Sequence, residues 1–248
     1  EMEQEAIRLN NHVGIIQGKL VMANYYLAQD NKREAIALYK EISQSTNASH
    51  DDKLMSLLFV YYIANEMGDY NMALNYLNAS KIEVNKYILV NKMTSRSQNA
   101  FDLLLIEIYY CDLYANMRDA EGMRSHIDSM DVYYYSDNTS NNFYGEYHGE
   151  KAKYYALIKR LPESLKEVDK AILFFNKTDD PENIIIFTLD KISYLKEQGY
   201  MDKATHLYDK FIKIKSDFYK KSMDKRHKET LKNYEFEQSK LKGEKIER

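Results

Sequence analysis

The chain has 248 residues with 35 Lys and Arg against 38 Asp and Glu, 23 Tyr, no Trp, two Pro and eight Gly, enough for one large or two ordinary domains with a substantial core. An aromatic share of 13% argues against disorder despite 29% charged residues, and so few breakers starve hairpins of turn residues and favour helices. The lone Cys111 excludes an internal disulfide framework and a multi-thiolate metal site, and no run approaches the roughly 18 apolar residues that a spanning helix needs.

In chain order, residues 1–15 are short for a helix pair and read as a lone N-terminal helix or partial repeat. A pattern then begins: Ala23, Tyr26, Ala35, Tyr39 and Ile42, at intervals of three, nine, four and three residues. Intervals of three and four return a helix to one face. The interval of nine spans a helix end, a short turn and the start of an antiparallel partner. The same intervals select Tyr61, Ala64, Ala73, Leu77 and Ser80, then Tyr110, Leu113, Gly122, His126 and Ser129, with His126 the weakest match. Ala152, Tyr155, Ser164, Val168 and Ala171 make a fourth set, and Ile192, Leu195, Ala204, Tyr208 and Phe211 a fifth.

Turn signals fall in each gap: Asp30-Asn31, Gly68-Asp69, Arg118-Asp119, Arg160-Leu161-Pro162 and Gly199-Tyr200. A small residue at the crossing lets two helix backbones approach, and an aromatic one turn away fills the space between pairs. Tyr133-Tyr134-Tyr135 cannot all be buried on one face, and reads as the anchor of the loop-like stretch Ser136 to Asn142 or as an exposed sticky patch. Thr178 to Asn183 reads as a helix start with aspartate near the positive dipole end, since it lacks the ligand spacing of a calcium loop. Beyond Ile212 the pattern changes to a narrow seam, Met223, Leu231, Tyr234, Gln238 and Leu241, in charged surroundings. From Lys210 to Arg248 there are 13 basic against 7 acidic residues, and the preceding 209 carry 22 against 31. An acidic body thus carries a basic helical tail.

These five sets resemble the tetratricopeptide repeat over residues 16–216. The crossing residues Ala35, Ala73, Gly122, Ser164 and Ala204 stand 38, 49, 42 and 40 apart, where the family's period is about 34. The extra length falls mainly around Ile82–Asn99 and Ser136–Tyr144. The resemblance implies an all-α fold, a right-handed α-α superhelix of about five degenerate helix pairs with a long C-terminal helix. Three regions follow: 1–15, the solenoid 16–216, and a basic helix or connector over 217–248.

No catalytic constellation emerges from the residues. The six histidines lack zinc-ligand spacing and read as exposed or capping, Gly145 and Gly149 lack the ending of a phosphate loop, and no nucleophile elbow occurs. Neither a cofactor nor a metal is expected, and the chain reads as a non-enzyme. The resemblance implies a concave groove lined by the first helix of each pair. Its candidates are Gln17, Asn24, Tyr62, Asn65, Glu107, Tyr114, Glu146, Lys153, Ser193 and Lys196, a polar and aromatic mix suited to a protein or peptide. The tail resembles the connector between tetratricopeptide sensor regions and the membrane span of bacterial membrane-anchored transcriptional regulators or sensor kinases. That reading expects a span just beyond Arg248, none within the chain, and a location on the periplasmic side of the inner membrane. The alternatives are a cytoplasmic receptor for a signalling peptide and an assembly scaffold. Self-association through the C-terminal helix is a further expectation. Direct nucleic-acid binding is not expected, because six excess charges interleaved with Glu and Asp make a solvated face.

Overall fold

A computed structural model describes residues 11–91, 96–134 and 143–246; of side chains, those of 96–100 and most beyond Asp224 lie outside it. The described residues form ten helices and no strand, so the fold is all-α. The chain divides into two compact units, Glu1–Arg160 and Leu161–Arg248.

The first unit holds α1 (His12–Ala28), α2 (Lys32–Gln44), α3 (His50–Glu66), α4 (Tyr70–Val90), α5 (Arg96–Asn116), α6 (Ala120–Tyr134) and α7 (Tyr144–Leu157). Each packs on its neighbours in sequence, and α5 also touches α7. Local chemistry starts these helices. The Asn11 side chain accepts from Gly14 N at α1, Asp69 from Met72 N at α4 and Asp119 from Gly122 N at α6. Ser49 and Asp52 form a reciprocal capping box at α3. Each such cap is worth about 1 kcal/mol.

The second unit holds α8 (Leu161–Thr178), α9 (Pro181–Glu197) and α10 (Met201–Ile246). Asp180 caps α9, accepting from Asn183 N at 3.1 Å, and Pro181 occupies its first turn, as the sequence of that turn predicts. The core of this unit centres on Ile192, Leu195, Ala204 and Phe211. Helix α10 passes through residues 216 and 217 without a break. Residues 1–10 lie outside the described residues, and positions 12–15 belong to α1.

The repeat is recorded most sharply in the turns. Besides Asp179 between α8 and α9, with φ of 53°, the five gaps read from the sequence hold Asp30, Gly68, Arg118, Lys159 and Gly199 in left-handed backbone, with φ of 59°, 75°, 57°, 62° and 79°. After each, the next N–H returns to a carbonyl five residues back: Asn31 to Tyr26, Asp69 to Ala64, Asp119 to Tyr114, Arg160 to Tyr155 and Tyr200 to Leu195, at 2.8–2.9 Å. This is the Schellman arrangement that closes a helix and reverses the chain. Five residues beyond each of these five positions stand Ala35, Ala73, Met123, Ser164 and Ala204, all at 0% exposure.

Four of these five are the crossing residues read from the sequence; the third is not. The turn at Arg118 places Cys111, Tyr114, Met123, Ile127 and Met130 in the repeat frame, one residue later than Tyr110, Leu113, Gly122, His126 and Ser129. The cause is that α5 is buried on two sides. Tyr110 and Leu113 face back into the cluster built on α3 and α4, whereas Cys111 joins Met123, Ile127, Met130 and Tyr147 in the next cluster. In α3 the same two rows are Val60 and Ile63 facing back, with Tyr61 and Ala64 facing forward.

One further expectation changes, that for the histidines. His148 is buried, in ring contact with Tyr144 and Tyr147. His126 stacks on Tyr110 and Tyr114, and His50 stacks on Tyr87 at 4.0 Å. They are packing residues in aromatic stacks, not exposed or capping ones. Tyr134 stacks on Tyr147 at 3.9 Å and Tyr133 packs beside the same cluster, so these two tyrosines are anchors. Tyr135 and residues 136–142 lie outside the described residues.

Candidate functional site

In the first unit, α1, α3 and α5 are the first helices of their pairs, and α7 continues the same frame before the turn at Lys159. On α1, Val13, Gln17, Val21, Asn24 and Ala28 are all exposed, and their spacing of three and four residues puts them in one stripe. On α3 the corresponding stripe is Asp51, Met55, Tyr62 and Glu66, with Tyr62 at 56% exposure. Gln17 Nε2 donates to Asp52 Oδ1 at 3.3 Å, which ties the two helices. Asn24 Oδ1 accepts from the Tyr39 hydroxyl at 2.6 Å, which fixes its amide with the NH2 group turned outward.

Farther along, the structure joins α3, α5 and α7 through one carboxylate that the sequence reading passed over. Asp112 on α5 accepts from Lys153 Nζ on α7 at 2.8 Å and from Asn65 Nδ2 on α3 at 3.0 Å. The Tyr61 hydroxyl and Asn116 Nδ2 lie 3.3 and 3.4 Å from the same carboxylate. Lys153 Nζ also reaches Glu150 at 2.7 Å. Asp112 follows Cys111 as Tyr62 follows Tyr61, Asn24 follows Ala23 and Lys153 follows Ala152. The one-residue slip in the third frame therefore hid it, and counting back from the Arg118-Asp119 turn recovers it.

The electrostatics follow from this geometry. Burial would lower the pKa of Lys153, but Glu150 and Asp112 outweigh it and hold the ammonium charged well above the usual lysine value. Burial first, then the Asp112 and Glu150 charges, pushes the Tyr61 phenol far up. Cys111 is fully buried, and burial together with Glu150 and Glu107 raises its thiol pKa, which leaves it unreactive. The cluster orients helices and keeps a lysine ionised.

Two candidates lie elsewhere. Glu107 is closed inside the packing of α4, α5 and α6, at 1% exposure, accepting from Lys81 Nζ at 2.8 Å and His126 Nδ1 at 2.6 Å. Burial would raise its pKa, and the two cationic-side partners more than reverse that, so it stays below the usual carboxylate range. Tyr114 is half-buried, its ring seated over Gly122. Tyr114 stands four residues after Tyr110 as Asn65 stands four after Tyr61, so the one-residue slip explains its position; Glu107 matches neither frame. Glu146 on α7 is half-buried. In the second unit, Ser193 and Lys196 are exposed on α9, and Lys196 Nζ sits 6.0 Å from the centre of the Tyr208 ring.

Among the described residues, no cluster of three or more His, Cys, Asp or Glu is arranged to hold a metal, and no helix is long and apolar enough to cross a membrane. No protein-family model matches the chain, and no curated protein matches it in sequence. Among solved structures, the crystal structure of BtubC (BKLC) from P. vanneervenii is similar with a TM-score of 0.64, covering 88% of each chain at 12% identity. At that identity the likeness is one of fold.

Proposed function

We propose that this chain is a tetratricopeptide-type module whose first-helix face holds a protein or peptide, and that it serves as the sensory or interaction region of a bacterial signalling or transcriptional regulator. The carrying observation is the row of five left-handed turns, each followed five residues later by a fully buried side chain. Such regularity belongs to helix-pair repeats, where stacking neighbours supply the core and the leftover faces form an extended binding surface. The surface on α1 and α3 combines Val21, Met55 and Tyr62 with the amides of Gln17 and Asn24. Exposed aromatic and amide groups together suit a peptide, which offers both apolar side chains and unpaired backbone groups. The Asn65–Asp112–Lys153 network supports that surface by fixing the spacing of α3, α5 and α7.

The test is a peptide-display selection on the whole purified chain, followed by calorimetry with enriched sequences. Tyr62→Ala is expected to weaken binding at least tenfold with the melting midpoint unchanged, and Asn24→Ala to weaken it less. Failure to enrich any peptide, or enriched peptides indifferent to both substitutions, overturns the reading.

A further inference from the structure

Helix α10 leaves open a face that the helix after every earlier turn keeps covered. Four residues after the crossing, Tyr39, Leu77, Ile127 and Val168 are at most 6% exposed, whereas Tyr208 is 44% exposed. Eight residues after it, Ser43, Lys81, Asp131 and Ile172 are half-buried, and so, three residues before it, are Lys32, Tyr70, Ala120 and Leu161. Their equivalents on α10, Ile212 and Met201, are 52% and 56% exposed. In the first unit the cover comes from the next helix. Tyr39 clusters with Val60 and Ile63 of α3, Leu77 with Ile106 and Leu113 of α5, and Ile127 with Tyr147 of α7. Among the described residues no helix plays that part for Tyr208.

The open face continues along the helix. Met201, Tyr208, Ile212, Tyr219 and Met223 follow at intervals of seven, four, seven and four, all between 44% and 64% exposed. Eleven residues take close to three turns, so the five form a nearly straight stripe about 33 Å long. The inward row of the same helix is a different one, Ala204, Leu207, Phe211, Ile214 and Phe218, buried or half-buried. Of the seam expected from the sequence only the Met223 side chain is described; those of Leu231, Tyr234, Gln238 and Leu241 lie outside the described residues. Each stripe residue is followed by a charged one, in the order Asp202, Asp209, Lys213, Lys220 and Asp224, and these line one edge. The other edge carries two cations, Lys215 Nζ at 5.8 Å from the Tyr219 ring and Lys196 Nζ of α9 at 6.0 Å from the Tyr208 ring.

We infer that the occupant of this stripe is the α10 of a second copy laid antiparallel, so that the chain forms a two-fold dimer. The order of the charges carries the choice, since opposite charges across an interface fix its register. In an antiparallel pair like edges face each other, and each patch meets itself. A two-fold axis at Phe211 then sets Asp202 against Lys220 of the other copy and Asp209 against its Lys213. Both pairs centre on the same residue, so one register satisfies them together. A parallel copy puts like edges on opposite sides of the seam and leaves these charges unmatched. Asp224 falls beyond the first turn of the other α10, in water, and Lys215 and Lys196 stand on the open side of the seam, where salt screens their repulsion. A large side chain with about half its surface open has on the order of 100 Å² left to bury. Five of them with their charged edge approach the roughly 800 Å² per partner of a stable interface. The surface belongs to α10 alone and is distinct from the first-helix face that takes a peptide.

The experiment is sedimentation equilibrium of the full chain at loading concentrations up to the millimolar range. A rise from the mass of one chain to that of two is expected as concentration increases. Tyr208→Gln with Ile212→Gln is expected to raise the dissociation constant at least tenfold, with helix content kept, since both side chains face solvent. Asp202→Lys should weaken the dimer, and Lys220→Asp added to it should restore the mass. The two positions stand about 27 Å apart along one helix and meet only in the antiparallel register. The mass of a single chain at every concentration overturns the inference, and so does a dimer indifferent to the loss of Tyr208 and Ile212. A dimer that Lys220→Asp weakens further in the Asp202→Lys background excludes the antiparallel register and overturns it as well.

Discussion

The α3–α4 and α5–α6 pairs solve the same packing problem with opposite distributions of bulk. In the first, a large Tyr61 and small Ala64 on α3 meet small Ala73 and Leu77 on α4. In the second, small Cys111 and large Tyr114 on α5 meet Met123 and Ile127 on α6. All but the half-buried Tyr114 are buried. Volume removed at one position returns at its neighbour, which is how cores keep their density while their sequences change. The difference teaches that the repeat is conserved as a set of backbone crossings and turns, not as residue types. The two pairs also differ in charge. The α5–α6 pair encloses Glu107 with Lys81 and His126, while the ion pair at the end of α3, Glu66 with Lys32 at 3.1 Å, leaves Glu66 half exposed.

The largest contrast between the pairs should come from removing each carboxylate. Glu107→Ala leaves Lys81 and His126 facing a dry gap, and Lys81 is about one-third exposed and rehydrates in part. A loss of about 2–3 kcal/mol is expected, against at most about 1 kcal/mol for Glu66→Ala, measured by denaturant unfolding. The pH dependence has a definite sign. Because the folded-state pKa of Glu107 is lowered, its contribution is present above the unfolded carboxylate value and fades as pH falls through the folded one. The gap between parent and Glu107→Gln should therefore close on acidification. A gap constant from neutral to strongly acid pH would refute the buried ion pair.

A smaller effect tests the exchange of bulk itself. A Cβ placed on Gly122 would lie 2.6 Å from the Tyr114 ring and 2.7 Å from Asp119 Oδ2. Asp119 cannot swing away freely, since its other oxygen caps the Gly122 N–H. Gly122→Ala is thus expected to cost about 1–2 kcal/mol, although alanine in an unhindered helix gains up to about 1 kcal/mol over glycine. Tyr114→Leu in the same chain should recover part of the loss, giving a coupling of about 0.5–1 kcal/mol in a double-mutant cycle. Stabilisation by Gly122→Ala alone would show that the ring has room.

The slip of one residue in α5 explains much of what the sequence concealed. The turn residues, the helical class and four of the five buried crossings follow from spacing, because turns and period act locally. A helix buried on two sides offers two apolar rows one residue apart, and spacing alone does not say which row faces its partner. Tyr110 and Leu113 satisfy the pattern as well as Cys111 and Tyr114 do, which points to Gly122 as the crossing and hides Asp112. The same slip selects Tyr114 in place of Ala115, while Glu107 fits neither frame. On the correctly framed helices Asn24, Tyr62, Ser193 and Lys196 are exposed, whereas Asn65, Glu146 and Lys153 are half-buried. The histidine stacks were not legible either, since Tyr87 and His50 are 37 residues apart in sequence and meet only through tertiary packing. Counting from the aspartate that caps α6 gives the correct frame, because a cap is tied to the backbone and an apolar residue is not.

The turns supply the finest test of that last point. Gly68 and Gly199 hold their left-handed conformation without a side chain, and nothing lies within 4 Å of where a Cβ would stand on either. Asp30, Arg118 and Lys159 hold the same conformation with one. If backbone geometry defines the repeat, the cost at each position is set by φ and not by surroundings. Gly68→Ala should then destabilise by about 1 kcal/mol despite the open space, and Arg118→Gly should stabilise by about 0.5–1 kcal/mol. Both are near the limit of urea unfolding, and the pair of opposite signs carries the test. Opposite shifts at equivalent turns of the two contrasted pairs would show them as one structural unit. An Arg118→Gly that destabilises would mean that the arginine side chain, and not the backbone, holds the α5–α6 turn.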